Sequence, residues 1–183
     1  DRVLYPVGAA KGLTQCLIDS MEAGDAEYML DTRATELITQ DGKVCGVKAQ
    51  GIDKDYVIYA DAVLMASGGY GYAKDLLPES LQSVLYYGPT FATGDGQKMV
   101  MAVDAKFDLF DLGKIYPNGV EVAAGTAKST IWPNAAAFSA SGILVNLDGQ
   151  RIVNEKASNN DLKQVLMEQP GQIMYLFMDA ESF

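Results

Sequence analysis

The sequence predicts an α+β (α/β) fold in which helices alternate with short strands. Three observations predict it: a continuous apolar run at residues 62–66, three strand-like segments within residues 32–59, and a Gly-rich turn at residues 93–96 that opens onto a helix. A continuous apolar run is typical of a strand buried on both faces of a sheet. Because ligands bind at the carboxyl ends of such strands, the small residues 67–69 are predicted to line a ligand site.

Local patterns place the elements of the first half. Helical spacing of apolar residues predicts a helix from Lys11 that ends at Gly24, and an apolar triplet at residues 28–30 predicts a short buried strand. An Asp-Gly pattern in the turn at residues 40–43 favours an antiparallel meander. The three strands of that meander are predicted at residues 32–39, 43–50 and 55–59.

The second half is predicted to contain shorter elements separated by loops. Helices are expected at residues 78–84 and 97–105, and a third helix, capped by Asp161, is expected to run through Glu168. The Leu-Asp-Gly-Gln turn at residues 147–150 predicts a hairpin. The strands are predicted at residues 142–146, 151–154 and, at the end of the chain, 173–178.

Composition excludes several classes of function. With 24 acidic and 14 basic side chains, the net charge of −10 disfavours binding to nucleic acid or to an anionic membrane surface. Histidine is absent and Cys16 and Cys45 are the two cysteines, so we expect two buried free thiols in a reducing environment, no iron–sulfur cluster and no metal site. No apolar run approaches the roughly 18 residues that a membrane-spanning helix needs. The sequence starts without a methionine, and we expect it to be part of a longer chain.

Four separate segments carry a resemblance to a known family. They are DTRATELI followed by GKVCGVKA, the segment ADAVLMASGGYG, the segment ATGDGQKMVMAVDAKF and the hairpin GILVNLDGQRIVNE. Each is weak evidence alone, because small residues after a strand and Asp-Gly turns are common. Together and in this order, they resemble the FAD-binding fumarate reductase/succinate dehydrogenase flavoprotein family, in particular its flavocytochrome c-type and urocanate-reductase-like members.

The resemblance implies that the chain contributes to two domains. Residues 1–105 would form part of a Rossmann-like FAD-binding domain, which includes the meander at residues 32–59. Residues 106–183 would form an incomplete capping domain that covers the substrate. FAD is the implied cofactor.

The resemblance also implies which residues bind FAD. Small residues and main-chain donors can line a diphosphate, and a carboxylate can accept hydrogen bonds from sugar hydroxyls. We expect the two corners at residues 67–69 and 93–96 to lie side by side and to line one edge of the dinucleotide. The implied cofactor-binding residues are Ala34 (through its main chain), Ala66, Ser67, Gly68, Thr93, Gly94 and Asp95.

One part of the FAD site departs from the family pattern. The Gly-x-Gly-x-x-Gly fingerprint for the pyrophosphate is not present in this sequence, since Gly68, Gly69 and Gly71 have the wrong spacing. A dinucleotide site needs groups that converge from both of its halves. We therefore expect this chain alone to bind FAD weakly or not at all and to be inactive.

Further departures concern the substrate side. Fumarate-reducing members carry His-Pro-Thr where this chain has Tyr-Pro-Asn, so the resemblance implies Tyr116 as a substrate contact, with a half-buried aromatic residue as the alternative. The Glu and Arg of those members correspond to residues 134–139, which carry no charge. Their proton-donating Arg corresponds to Asn159, which lacks a guanidinium. Lys156 is close enough in sequence to be a substitute donor but is disfavoured, so the donor is left as a residue outside this chain or one that differs from that of the fumarate reducers. Arg151 is expected to be a structural surface residue.

The implied reaction is hydride transfer between flavin and a carbon–carbon double bond conjugated to a carbonyl or carboxylate. Because the fumarate-binding side chains are replaced, the expected substrate is an enoate-like small molecule other than fumarate. A related flavin dehydrogenase of the ketosteroid-dehydrogenase type, or a non-catalytic domain derived from a flavoprotein, are the alternatives. The electron donor stays open, and so does the compartment, which would be the cytoplasm, periplasm or cell surface of a prokaryote.

Overall fold

The computed structural model describes residues 6–129 and 142–180 of the chain. The chain divides into two compact units, Asp1–Val63 and Leu64–Phe183. The domain boundary predicted after residue 105 lies inside the larger unit and stays a prediction. Helices and strands occur in both units, so the mixed helix-and-sheet class is confirmed. No helix in the described ranges is long and apolar enough to span a lipid bilayer.

The smaller unit contains one helix and one sheet within its described residues. Helix α1 runs over Ala9–Glu22, and the three strands are β1 (Arg33–Gln40), β2 (Lys43–Gln50) and β3 (Asp55–Tyr59). The helix is capped by Ala23, which keeps right-handed backbone angles, so the prediction that Gly24 ends it was wrong. Hydrogen bonds from the main-chain N–H groups of Ala23 and Gly24 close the last turn, and no left-handed glycine is required.

The predicted three-stranded meander is confirmed. Its strands pair antiparallel in the order β1-β2-β3, and the first turn contains Asp41 and Gly42 at φ values of 50° and 74°. Two consecutive positive φ values are characteristic of the type I′ hairpin turn, for which Asp-Gly is a preferred pair. At Gly46 in β2, a Cβ would overlap the Ile58 carbonyl oxygen of β3. The turn and this close approach between strands together fix the register.

Two other strands predicted in the first part of the chain are absent from the described structure. Residues 28–30 form no ladder, and their side chains are exposed. Residues 62–66 also form no ladder, and Leu64 is 92% exposed instead of buried. A strand exists only where a neighbouring segment pairs with its main-chain groups, and no described segment does so at either place. Apolar composition alone does not supply that partner.

The larger unit is built from short elements. Its described helices are α2 (Glu79–Gln82), α3 (Asp95–Met101) and α4 (Asn159–Glu168), and single 3-10 turns lie at Lys74–Leu76 and Pro170–Gln172. Strand β4 (Gly119–Ala123) pairs antiparallel with β5 (Thr126–Ser129), and β6 (Ile143–Val145) pairs antiparallel with β7 (Tyr175–Phe177). Strand β7 corresponds to the last predicted strand but is shorter, and its Tyr175 and Phe177 side chains are exposed rather than buried.

The helices of the larger unit differ from the prediction at their ends. Both α2 and α3 are shorter than expected, and α3 also begins earlier. Helix α4 begins at Asn159 because Ser158, rather than Asp161, is its N-cap. The Ser158 hydroxyl accepts from the Asp161 main-chain N–H at 3.2 Å and donates to the Asp161 carboxylate at 2.7 Å. Asp161 is therefore the third helical residue, and its main-chain N–H makes the hydrogen bond to the N-cap side chain.

The hairpin turn predicted at residues 147–150 is present, but its second strand is not. A single bridge joins Val145 to Arg151, and β6 forms its ladder with β7 instead. The expectation of a strand at residues 151–154 was wrong because the chain enters another hydrogen-bonded turn at residues 154–157 before a ladder can form.

A buried carboxylate joins this hairpin to β6. Glu155 is 4% exposed, and its Oε1 accepts from the Leu144 main-chain N–H at 2.9 Å and from Arg151 Nε at 3.1 Å. Its Oε2 accepts from Arg151 Nη2 at 2.6 Å. The Arg151 guanidinium is the main cause that lowers the pKa of Glu155 to about 2, against the opposing effect of burial. The pairing supports the expectation that Arg151 is structural.

Replacing Glu155 by Gln is expected to destabilise the larger unit by about 1–3 kcal/mol at neutral pH, because charge-assisted hydrogen bonds to Arg151 are lost. The folded-state pKa of Glu155 lies below its ordinary value of 4.5. The carboxylate therefore contributes stability that is present above about pH 4.5 and is lost as the pH falls toward 2. Urea unfolding at a series of pH values should show the free-energy gap between wild type and E155Q narrowing in that window.

The exposed ion pair between Asp75 and Lys98 provides a matched control in the same unit, with a distance of 3.0 Å between Oδ2 and Nζ. Asp75→Asn is expected to change the free energy of unfolding by less than about 1 kcal/mol. Equal stability of E155Q and wild type at neutral pH, or a gap that persists unchanged in acid, would contradict the assigned role of Glu155.

Candidate functional site

The two predicted corners of the larger unit lie in direct contact. The Ser67 side chain lies over Gly96, where a Cβ would overlap the Ser67 hydroxyl and stand 2.8 Å from the Ser67 Cβ. The next residue, Gln97, donates from Nε2 to the Gly68 carbonyl oxygen at 3.0 Å. The contact therefore requires glycine at position 96. The expected side-by-side arrangement of residues 67–69 and 93–96 is observed.

A second glycine shapes the turn that leads into α3. Gly94 is the N-cap residue with a φ of 72°, and a Cβ at this position would overlap the Leu76 side chain. The Thr93 hydroxyl donates to Asp95 Oδ1 at 3.0 Å. Asp95 is the first residue of α3, so this hydrogen bond orients its carboxylate. The conformation and the surrounding space both select glycine at position 94.

Both corners border a cavity of about 330 Å³, whose lining includes Ala66, Ser67, Gly68, Gly96, Gln97 and Asp108. At Gly68 a Cβ would meet no atom within 4 Å, so this rim faces open space. Within the described residues, the main-chain N–H groups of Ser67, Gly68 and Gly69 donate to no other residue. Exposed N–H donors on consecutive small residues suit an anionic or polar ligand group.

An aromatic cluster forms another wall of this cavity. The Tyr70 and Phe110 rings stack with 4.7 Å between their centroids, and Phe107 packs on Phe110 at the same centroid distance. The Tyr70 hydroxyl donates to the Phe110 carbonyl oxygen at 3.3 Å. Sequence reasoning missed this wall because Tyr70 and Phe110 are 40 residues apart and no local pattern links them. The i, i+3 spacing of the two phenylalanines was the one available indication.

Gln97 is a further residue that sequence reasoning missed. Its Nε2 is engaged with Gly68, whereas its Oε1 is buried without a hydrogen-bond partner in the described part of the chain. A buried acceptor without a partner costs roughly 1–3 kcal/mol unless a ligand or water donates to it. The cavity lies at the low end of the roughly 300–1,000 Å³ range of ligand pockets, so it suits a portion of a dinucleotide. Small residues, exposed donors and one unpartnered acceptor fit that portion.

The predicted cofactor-binding residues are divided between the two units. Ala34 lies in the smaller unit, in β1, opposite Ala49 of β2, and it is exposed. Its predicted role stays a prediction. The others lie in the two corners of the larger unit: Ala66, Ser67, Gly68, Thr93, Gly94 and Asp95.

A second and larger cavity of about 990 Å³, which we call the groove, contains Tyr116 together with Tyr86, Tyr87, Lys114 and Asn118. Tyr116 is 36% exposed, and Lys114 Nζ lies 4.8 Å from the centroid of its ring. A hydrogen bond with the Tyr116 hydroxyl is the main cause that raises the pKa of Lys114. Burial is the main cause that raises the pKa of Tyr87, and the electrostatic effect of Tyr116 acts in the same direction. Lys114 and Tyr87 therefore keep their protons at neutral pH and can donate hydrogen bonds.

Glycines allow the tyrosines to pack closely on the main chain beside the groove. A Cβ at Gly71 or at Gly88 would overlap the Tyr86 side chain, and a Cβ at Gly119 would stand 3.3 Å from the Tyr87 ring. The main chain at these glycines thus contacts both rings. The rest of the groove wall combines aliphatic residues with further aromatic ones, among them Tyr70, Tyr116 and Tyr175.

The positions expected on the capping side do not line the groove within the described residues. Asn159 is the first residue of α4 and is exposed. Lys156 is also exposed, and its main-chain N–H donates to Asn154 Oδ1 at 3.0 Å. Residues 134–139 lie outside the described residues, so the replacement of the charged pair there stays a sequence observation. Tyr116 is the one predicted substrate-side residue that this structure places in a cavity.

Metal-binding groups are not clustered in the described ranges, where no three His, Cys, Asp or Glu side chains are placed to hold an ion. Cys16 and Cys45 are both free thiols, but the prediction that they are buried was wrong, since Cys16 is exposed on α1 and Cys45 is half-buried in β2.

Comparisons with known proteins identify the family. The sequence matches the family described as FAD binding domain over residues 2–182. It is 25% identical to a probable fumarate reductase of Shewanella frigidimarina, in an alignment that covers 100% of this chain and 32% of that protein. It is 32% identical to a fumarate reductase of Schizosaccharomyces pombe, in an alignment that covers 84% of this chain and 33% of that protein. The chain thus spans about a third of the length of these curated relatives.

Two solved structures share the fold. The open conformation of a flavocytochrome c3 fumarate reductase superposes with a TM-score of 0.78 at 22% identity, covering 100% of this chain and 33% of that one. A 3-ketosteroid-Δ4-(5α)-dehydrogenase from Rhodococcus jostii superposes with a TM-score of 0.65 at 22% identity. This superposition covers 93% of this chain and 33% of that one. FAD is the cofactor of the matched family. The resemblance carried by the four sequence segments is thereby confirmed, and the chain belongs to the FAD binding domain family, whose members include fumarate reductases.

Proposed function

We propose that this chain is part of an FAD-dependent oxidoreductase of the fumarate reductase flavoprotein type, which acts on a carbon–carbon double bond conjugated to a carbonyl or carboxylate. The observation that carries the proposal is the contact between the two corners, with Ser67 over Gly96 and Gln97 bonded to Gly68. Ligand-binding corners built from small residues are what a dinucleotide edge requires. The match to the FAD binding domain family over residues 2–182 identifies the dinucleotide.

The residues of the two corners would hold FAD in complementary ways. The exposed N–H groups of residues 67–69 would donate to phosphate oxygens, and Gln97 Oε1 would accept from a hydroxyl group. Asp95, held by Thr93, would accept from a hydroxyl on the flavin side. Ala34 would contribute its main chain to the adenine side, as the family resemblance implies.

The groove would hold the substrate beside this edge. When bound, FAD supplies the hydride, so that the double bond gains one hydride and one proton and becomes a single bond, with an external reductant as the electron source. Tyr116 would donate a hydrogen bond to the carbonyl or carboxylate of the substrate. Residues 106–183 would exclude water from the groove as a capping domain.

Fumarate is not the substrate that these residues favour. The family's His, Glu and Arg positions for fumarate are occupied in this sequence by Tyr116, by the uncharged residues 134–139 and by Asn159. A guanidinium binds a carboxylate through two parallel hydrogen bonds, for which the uncharged residues 134–139 supply no cation, and the Asn159 amide lacks the guanidinium that donates the proton in those members. The proton would come from a residue other than Asn159.

The 183-residue chain by itself is expected to purify colourless, because the groups that converge on the other half of a dinucleotide are not supplied by these two corners. Absorbance between 350 and 500 nm and titration with FAD under fluorescence detection would measure this. A yellow preparation with one FAD per chain would show that the corners and the smaller unit are sufficient for tight binding.

Gly68→Ala in the FAD-loaded protein that carries this chain is expected to weaken FAD binding by at least about tenfold, or about 1.4 kcal/mol. Gly68 lines the cavity, and no protein atom lies within 4 Å of the position of the new Cβ, so the methyl group would obstruct a ligand. Equilibrium titration of the apoprotein with FAD would measure the dissociation constant.

Gly149→Ala is the matched control, since Gly149 has a similar positive φ of 72°, a Cβ there also meets no atom within 4 Å, and the residue lines neither cavity. The backbone strain of alanine is thus similar in both variants, and the FAD dissociation constant of G149A should equal that of the wild type. An unchanged affinity in G68A as well would contradict the placement of FAD against this corner.

The reaction class is tested on the FAD-loaded protein after anaerobic reduction by a dye of low potential. Oxidation of the reduced flavin by a conjugated enoate, followed at 450 nm, is the expected result. Oxidation by cyclic enones alone would favour a dehydrogenase of the ketosteroid type, which shares this fold. No oxidation by either class would support the alternative of a non-catalytic flavoprotein domain.

A further inference from the structure

The groove is larger and more apolar than a short polar substrate needs. Its volume of about 990 Å³ lies at the upper end of the roughly 300–1,000 Å³ range of pockets that enclose drug-sized ligands. Much of its lining is aliphatic or aromatic, and examples from different elements are Leu81, Leu112, Ile115, Leu162, Met167 and Ile173. Burying apolar ligand surface against such walls is favourable by roughly 25 cal/mol per Å². The groove therefore favours a ligand with a bulky apolar body.

The charges that line the groove are few and unequal. Lys114 is the one cationic side chain among its described lining residues, and the two acidic ones are Glu121 and Glu155. Both acids have partners within the fold, since Glu155 binds Arg151 and Leu144, and Glu121 accepts from the Gly125 main-chain N–H at 2.8 Å. Lys114 is thus the cation that is available to an anionic ligand group.

The position of Lys114 suits it to hold one carboxylate. Its Nζ lies 4.8 Å from the centroid of the Tyr116 ring, which restrains the flexible side chain through a cation–π contact. The ammonium presents several donors, and the Tyr116 hydroxyl is a donor close by. In the same groove Asn118 Oδ1 is buried without a partner within the described residues, so it would accept a hydrogen bond from a hydroxyl group carried by the substituent of a ligand.

We propose that the groove selects enoates with a single carboxylate and a bulky apolar or aromatic substituent, and that Lys114 is the residue that binds the carboxylate. This inference rests on the proposed function and names the substrate class for the same site. A four-carbon dicarboxylate would place its second charge against the apolar wall without a described cation to pair with it. Burying an unpaired carboxylate is strongly unfavourable, so such a ligand is discriminated against.

Four probes separate charge from size: 3-phenylpropenoate, its methyl ester, but-2-enoate and fumarate. With the reduced FAD-loaded protein, we expect kcat/KM for 3-phenylpropenoate to exceed that of each of the other three by at least about tenfold. The dissociation constant, measured from the perturbed flavin absorbance of the oxidised protein, should be lowest for 3-phenylpropenoate, again by at least about tenfold. The binding measurement keeps the inference testable even where turnover is slow.

Lys114→Met tests the assigned residue in the same protein. We expect the dissociation constant for 3-phenylpropenoate to rise at least about tenfold, with that for the methyl ester unchanged, since only the acid carries the charge. A merely structural role of Lys114 would weaken both ligands alike. Lys106→Met is the matched control, because Lys106 is exposed and is not among the described residues of the groove, and it should alter neither value.

The outcomes distinguish this inference from the proposed function. If fumarate binds and reacts best, the substrate class is wrong while the oxidoreductase assignment stands. If K114M weakens acid and ester equally, the role of Lys114 is overturned. If none of the probes oxidises the reduced flavin and none binds, the proposed function fails together with the inference.

Discussion

The structure of the candidate site depends on one small contact, in which Ser67 lies over Gly96 while Gln97 donates to the Gly68 carbonyl oxygen. Residues 62–66 form no ladder within the described structure, so their main-chain hydrogen bonds do not hold the first corner in place. The side chain of Gln97, the absence of a Cβ at position 96 and the hydrogen bond from the Tyr72 main-chain N–H to the Ala92 carbonyl oxygen do so instead. A methyl group at position 96 would separate the corners, because packed interiors leave no space for it.

The sequence predicted those parts of the fold that depend on neighbouring residues. The Asp41-Gly42 turn specifies its own backbone angles, and the meander on either side of it was predicted with nearly correct bounds. The predicted strand at residues 62–66 failed because pairing depends on a distant segment, which apolar composition does not identify. The pairing of β6 with β7 was missed for the same reason, since a local hairpin was the simpler expectation.

The parts of the candidate site that the sequence predicted are those that require glycine. Glycines at positions 68, 94 and 96 are informative because the backbone angles or close contacts at these places exclude other residues. Gln97, the Tyr70–Phe110 stack and Lys114 gave no such indication, since their roles arise only when separate segments meet. The charges of the groove also depend on contacts between separate residues. Arg151 is paired with Glu155 and is not among the described lining residues, so Lys114 is the cation that the groove offers to a ligand.

The most direct test of the central claim is hydrogen–deuterium exchange of the protein that carries this chain, with and without bound FAD. Exchange of main-chain amides reports directly on whether exposed N–H groups acquire a ligand. If the two corners form one edge of the dinucleotide site, FAD should slow exchange at residues 66–69 and at residues 93–97 together. Slower exchange at one corner alone, or at neither, would contradict the shared edge and with it the placement of the cofactor.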